Sequence, residues 1–172
     1  WSVSNGNKHG KPVSEESENA LTADEFNGWT FHNIKSWSRN DSNISIRNKF
    51  TKGTGIIAVI DPYEFSLGTA GVTTQSEIST PSIDISGAVA GELKLNFDSS
   101  WARKHTPNHA SISVSYDGAA PITIKQFKER EKYGNNANKT INLDNPEGAQ
   151  SATFTWSCLL YTSPSPRDES RS

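Results

Sequence analysis

The stretch Leu93-Lys94-Leu95-Asn96-Phe97-Asp98 alternates apolar and polar side chains. Successive side chains of a strand point to opposite faces, so Leu93, Leu95 and Phe97 share one face and Lys94, Asn96 and Asp98 the other, the pattern of a half-buried strand. Downstream, Ile112, Val114 and Tyr116 repeat the alternation, with Ser113 and Ser115 between them. Asp117-Gly118 then starts a turn before Ile122 and Ile124, a short-range hairpin signal, although Ala119, Ala120 and Pro121 lengthen the connection. Further strands are expected at 44–46, 55–60, 82–85, 140–143 and 152–156, all rich in Ile, Val, Thr or aromatic residues and separated by Gly, Asn, Pro and Ser. The segment 55–60 is apolar on both faces, as in a central strand, and Gly53-Thr54-Gly55 reads as the turn that enters it. Trp29, alternating with Phe31, is expected in the core, as is Trp156.

No segment sustains apolar positions at helical spacing with caps, and the charged stretch 125–133 has room for a turn or two of helix at most. Many short strands without strand–helix alternation define an all-β class and point to an antiparallel β-sandwich of the jelly-roll kind. With 172 residues the chain suits one domain and can bury a real core. Its net charge of -2 supplies no basic field for nucleic acid or for an anionic membrane surface. No run approaches the roughly 20 apolar residues of a membrane helix, and nothing near Trp1 has the form of a signal peptide. A chain that starts at Trp1 and contains no Met is expected to be processed, trimmed or part of a longer reading frame.

The other end has a different character. Cys158-Leu159-Leu160-Tyr161-Thr162-Ser163-Pro164-Ser165-Pro166-Arg167-Asp168 matches, in order over eleven residues, the translation of a transposase-type sequencing adapter, and Ser157 fits the adapter bases before it. Residues 157–172 are therefore expected to be an adapter-derived, non-native, disordered tail, and residues 1–156 the domain. Arg167 and Arg171 balance Asp168 and Glu169, so the net charge of -2 is unaffected by leaving the tail out. The lone Cys does leave with it. A cysteine-free domain is no disulfide scaffold, thiolate zinc site or cysteine hydrolase.

Several pieces, taken in order, resemble a bacterial family of secreted jelly-roll modules related to MAM and concanavalin-like sandwiches, of the choice-of-anchor type. They are Glu25-Phe26-Asn27-Gly28-Trp29-Thr30-Phe31, Arg47-Asn48-Lys49-Phe50-Thr51-Lys52-Gly53-Thr54-Gly55 and Ala58-Val59-Ile60-Asp61-Pro62. They continue with Ser79-Thr80-Pro81-Ser82-Ile83-Asp84-Ile85-Ser86-Gly87, Leu95-Asn96-Phe97-Asp98-Ser99-Ser100-Trp101, Val114-Ser115-Tyr116-Asp117-Gly118 and Leu143-Asp144-Asn145-Pro146-Glu147-Gly148-Ala149. The resemblance implies a module appended to exported enzymes or surface proteins, hence a secreted or cell-surface location. It also implies a closing strand beyond Trp156 that the adapter has replaced, leaving a sandwich with an unnatural edge.

Candidate chemistry is sparse. His105 and His109 are separated by Thr106-Pro107, which breaks a helix, so they are read as exposed loop residues and not as a metal pair. Asp61-Pro62-Tyr63-Glu64 places two carboxylates in a loop after a buried strand; Asp61 and Glu64, with Asp98, are candidate ligands of a structural calcium ion. For a glycan, Trp101, Trp37 and Tyr63 are candidate stacking rings, and Arg103, Asn108 and Asn40 candidate readers of hydroxyls. Trp101, before the charged Arg103-Lys104-His105, is expected to be the exposed ring. Asn40-Asp41-Ser42, Asn43-Ile44-Ser45 and Asn138-Lys139-Thr140 match the N-glycosylation pattern and read as exposed loops.

Concanavalin-like folds do host glycoside hydrolases, which need a paired acid and nucleophile or base. Here no Glu-x-Asp-x-x-Glu strand occurs, and Glu92 and Asp98 lie on polar faces, so no catalytic activity is expected. The expectation is a non-catalytic accessory module of a secreted multimodular protein that binds a glycan or polysaccharide or attaches to a surface. The alternatives are a ligand-free domain supporting a neighbouring metallophosphoesterase or hydrolase, and a glycoside hydrolase-like enzyme.

Overall fold

The computed structural model describes residues 1–4, 28–39, 47–61, 73–101, 109–127 and 136–161. Its strands are β1 (Ser2–Ser4), β2 (Thr30–Asn33), β3 (Ile56–Val59), β4 (Thr73–Ser79), β5 (Ile83–Asp84), β6 (Lys94–Ser99), β7 (His109–Tyr116), β8 (Ile122–Phe127), β9 (Ala137–Asn142) and β10 (Ser151–Tyr161). A short helix, α1 (Ile34–Arg39), follows β2, and a 3-10 turn spans Arg47–Lys49. Every described pairing is antiparallel, and the protein is all-β as the alternation predicts. The main sheet runs β1-β4-β10-β7-β8, with β5 also pairing β10; β2 pairs β3 and β6 pairs β9 in two smaller sheets.

The parity of β7 and β10 builds the core. Ala110, Ile112, Val114 and Tyr116 alternate inward along β7, and Ala152, Phe154 and Cys158 do so along β10, all buried. Register makes these rows continuous, since Ile112 lies opposite Trp156 and Trp156 opposite Ile78. Against them pack Leu95, Phe97 and Ile141 from the β6–β9 pair, giving two layers with apolar atoms between them. Transfer of each fully buried aliphatic side chain from water contributes about 1.5–3 kcal/mol, so Ile78, Ile112 and Val114 are among the main stabilising contacts.

The β7–β8 connection follows the Asp-Gly signal. Asp117 and Gly118 both have positive φ, 49° and 74°, and the Ala119 N–H donates to Tyr116 O at 2.8 Å, as a tight hairpin turn requires. A non-glycine residue at positive φ needs support, and Asp117 has it: its Oδ1 accepts from the Gln150 and Ser151 N–H groups at 3.0 and 2.8 Å. The register slips between Ile112 and Ser113, so β8 absorbs an extra residue.

Several expectations differ from the structure. β4 has no strong apolar alternation and was not expected, yet it lies between β1 and β10. Among the described residues β3 pairs with β2 alone and is not a central strand, with Ile56 43% exposed and Ala58 exposed; Val59 at its end is buried. On β2 the most deeply buried residues are Thr30 and His32, while Trp29 and Phe31 on the opposite parity are half-buried. Trp29 still packs on the core, and its N–H donates to the buried Ser76 Oγ at 3.0 Å. Residues 125–127 belong to β8 and not to a helical turn. The expected strand at 44–46 lies outside the described residues.

The boundary at Trp156 falls inside β10. Ser157 to Tyr161 continue the strand, pairing Ser157 with Glu77 and Ser111, and Cys158 with Ser76 and Ala110. These residues are part of the sheet and not a disordered tail, because inward parity sets the small, weakly polar Cys158 among Ala110, Ile112 and Phe127.

Candidate functional site

Asp61 is not a solvated loop carboxylate. The residue is 8% exposed, and its Oδ2 lies 2.9 Å from Arg47 Nη2 and accepts from Trp37 Nε1 at 3.1 Å. Arg47 also stacks over the Trp37 ring, with Cζ 5.3 Å from the ring centroid, and its Nη1 donates to Trp37 O at 3.3 Å. Three segments meet there: α1 brings Trp37, the 3-10 turn Arg47, and the residues after β3 Asp61. Gly53, before β3, is packed so closely that an added Cβ would lie 2.6 Å from Ile34 Cδ1 and 2.8 Å from Phe50 Cε1. The knot engages the half-buried Trp37 through its indole N–H and one ring face.

This geometry does not suit calcium on Asp61, because a dication on the same oxygen would sit against the guanidinium. Asp98 lies on a different sheet, exposed on β6, with its Oδ1 accepting from Asn138 Nδ2 at 3.0 Å. Glu64 lies outside the described residues. Among the described residues, no three of His, Cys, Asp and Glu come together.

Trp101 is half-buried rather than open. Its ring stands 5.8 Å from that of Phe127, tilted by 43°, against the buried cluster of Ala110, Ile112 and Cys158. Tyr63, Arg103, Asn108, Asn40 and His105 lie outside the described residues. His109 is exposed, on β7 and not on a loop. A more exposed ring is Trp1, 58% accessible, with its centroid 6.0 Å from those of both Phe31 and Trp156.

The outward faces are polar. Across the main sheet, register aligns Ser2, Ser79, Thr155, Ser113 and Thr123, a row of hydroxyls spanning β1, β4, β10, β7 and β8, with Ser79 Oγ and Thr155 Oγ1 2.8 Å apart. On the other layer, β6 and β9 present the pairs Lys94–Asn142, Asn96–Thr140 and Asp98–Asn138, with every member exposed. Asn138, expected on a loop, is thus on a strand, β9, which begins three residues before the strand expected from Thr140. The alternation of β6 is a local pattern legible in the sequence, whereas its pairing with β9 is set by register between distant residues.

Two buried groups are perturbed. Burial pushes the Cys158 thiol up to about 12, and burial, followed by the Asp144 carboxylate, raises the Tyr116 phenol. A thiol held neutral in this way is an inert core side chain.

The fold and these surfaces define an all-β protein of antiparallel, sandwich-like layers with polar outer faces. Comparison with known protein families, with curated proteins and with solved structures returns no match.

Proposed function

We propose that the chain is a non-catalytic accessory module, of the secreted bacterial jelly-roll kind its motifs resemble, that binds a glycan at a cell surface or polysaccharide matrix. The observation carrying this reading is the make-up of the outward faces, where hydroxyl and amide groups in strand register offer donors and acceptors without a strong field of either sign. Sugars present the same mixture of donors and acceptors. Glu92, two residues before β6, and Asp98, on β6, the acids considered for glycoside hydrolysis, are exposed on open polar surface, without the enclosure that tunes a general acid.

One observation favours the second reading, a ligand-free domain that supports a neighbouring catalytic domain. Trp37 and Trp101 are half-buried and engaged in packing, which leaves less ring face for a sugar to stack on. A glycan array probed with the full chain separates the two. Retention on defined glycans supports the binding module, and no retention by a chain with an intact β-sheet circular dichroism spectrum supports the scaffold.

A further inference from the structure

The outer face of the β6–β9 pair concentrates residues that local preference disfavours in strands. Asn and Asp are poor strand formers, yet Asn96, Asp98, Asn138 and Asn142 fill four of its six positions, with Lys94 and Thr140 in the others. All six side chains are exposed, so packing does not explain the choice. Where local preference is overridden without a packing gain, function is the usual cause.

We propose that this ladder is the contact surface for a neutral polysaccharide, an inference that rests on the glycan-binding reading above. Each amide offers two N–H donors and a carbonyl acceptor in one plane, and the Asp98 carboxylate two acceptors, a match for adjacent hydroxyls on a sugar ring. Strand geometry sets the groups about 5 Å apart across the pair and about 7 Å apart along it. The array is also preorganised, since both backbones are fixed by pairing and Asn138 is already held by Asp98 at 3.0 Å. Lys94 at one end cancels Asp98 at the other, so the patch carries no net charge with which to select a polyanion. None of its six residues is aromatic or aliphatic, so a protein partner would find no anchor of the kind that dominates protein interfaces.

The test uses native affinity gels of the full chain cast with hydroxyethylcellulose, arabinoxylan or galactomannan, with alginate as the polyanion. The wild type is expected to be retarded by at least one neutral polymer. The variant Asn96→Thr/Asn142→Thr should bind about tenfold more weakly, with a Tm no lower than wild type because Thr is the better strand former. The variant Ile122→Thr, at an exposed apolar position on β8 outside both polar arrays, should bind as wild type does. Retardation that survives in the Asn variant, or is lost in the Ile122 variant instead, overturns the ladder while leaving glycan binding intact. Retardation by alginate alone overturns the neutral ligand. No retardation by any polymer overturns both the ladder and the binding reading.

Discussion

Replacing Asp61 by alanine leaves the Arg47 guanidinium buried against Trp37 without the carboxylate 2.9 Å from it. At an effective dielectric of about 20, that separation corresponds to a gross attraction of about 6 kcal/mol, much of it offset by the desolvation of both ions. The side chains are 9% and 10% exposed, so water cannot take over for the missing partner. The expected loss is about 3–5 kcal/mol, the range for breaking a buried pair from one side. Urea unfolding followed by Trp fluorescence should show the transition midpoint falling sharply with the m-value unchanged. Arg47→Met/Asp61→Leu removes both charges together and should recover most of the loss, remaining below wild type by about 1–3 kcal/mol because the Trp37 indole N–H loses its acceptor. An Asp61→Ala midpoint within about 1 kcal/mol of wild type, typical of an exposed pair, would refute the reasoning.

The buried thiol of Cys158 should resist a disulfide-exchange reagent in the native chain and react at once in urea; labelling at equal rates in both would contradict its burial. Its folded pKa of about 12 lies above the ordinary 9.0, so the folded state holds the proton longer than the unfolded state does. Its contribution to stability is therefore full below pH 9 and is lost as the pH rises from 9 towards 12. Gly53→Ala drives a methyl group into Ile34 and the Phe50 ring and should destabilise by about 1–3 kcal/mol, read from the urea midpoint. Truncation after Trp156 removes Cys158 from the core and the pairing of residues 157–161 with β4 and of 157–159 with β7, so the shortened chain should lose its cooperative transition; one that unfolds like the full chain would confine the fold to residues 1–156. Because Arg47 already faces Asp61, calcium and a chelator should leave the thermal midpoint unchanged, and a calcium-dependent rise would restore an ion site at Asp61 and Glu64.

The alternation at 93–98 and 112–116 is a property of adjacent residues, and it correctly assigned strands, inward faces and fold class. The Asp-Gly turn was legible for the same reason, because the positive φ of Asp117 and Gly118 is a local demand. β4 escaped notice because Thr73–Ser79 holds one strongly apolar residue, Ile78; it is a strand through its neighbours β1 and β10, not through its own composition. On β2, period two marked the alternation but not which face is more deeply covered, so the deep burial of Thr30 and His32 went unread.

Of the candidate site, the sequence supplied the exposed polar parity of β6 and the presence of Asp98 on it. That Asn138 stands beside Asp98, that Asp61 is bound to Arg47 and Trp37, and that Trp101 rests on Phe127 were decided by the tertiary structure. The same holds for β10, where residues suspected of foreign origin continue the strand because backbone pairing takes any side chain whose parity fits. Alternation is written between neighbours in the chain, whereas pairing partners, buried charges and the faces left open to a ligand depend on residues far apart in sequence and become definite only when the layers close.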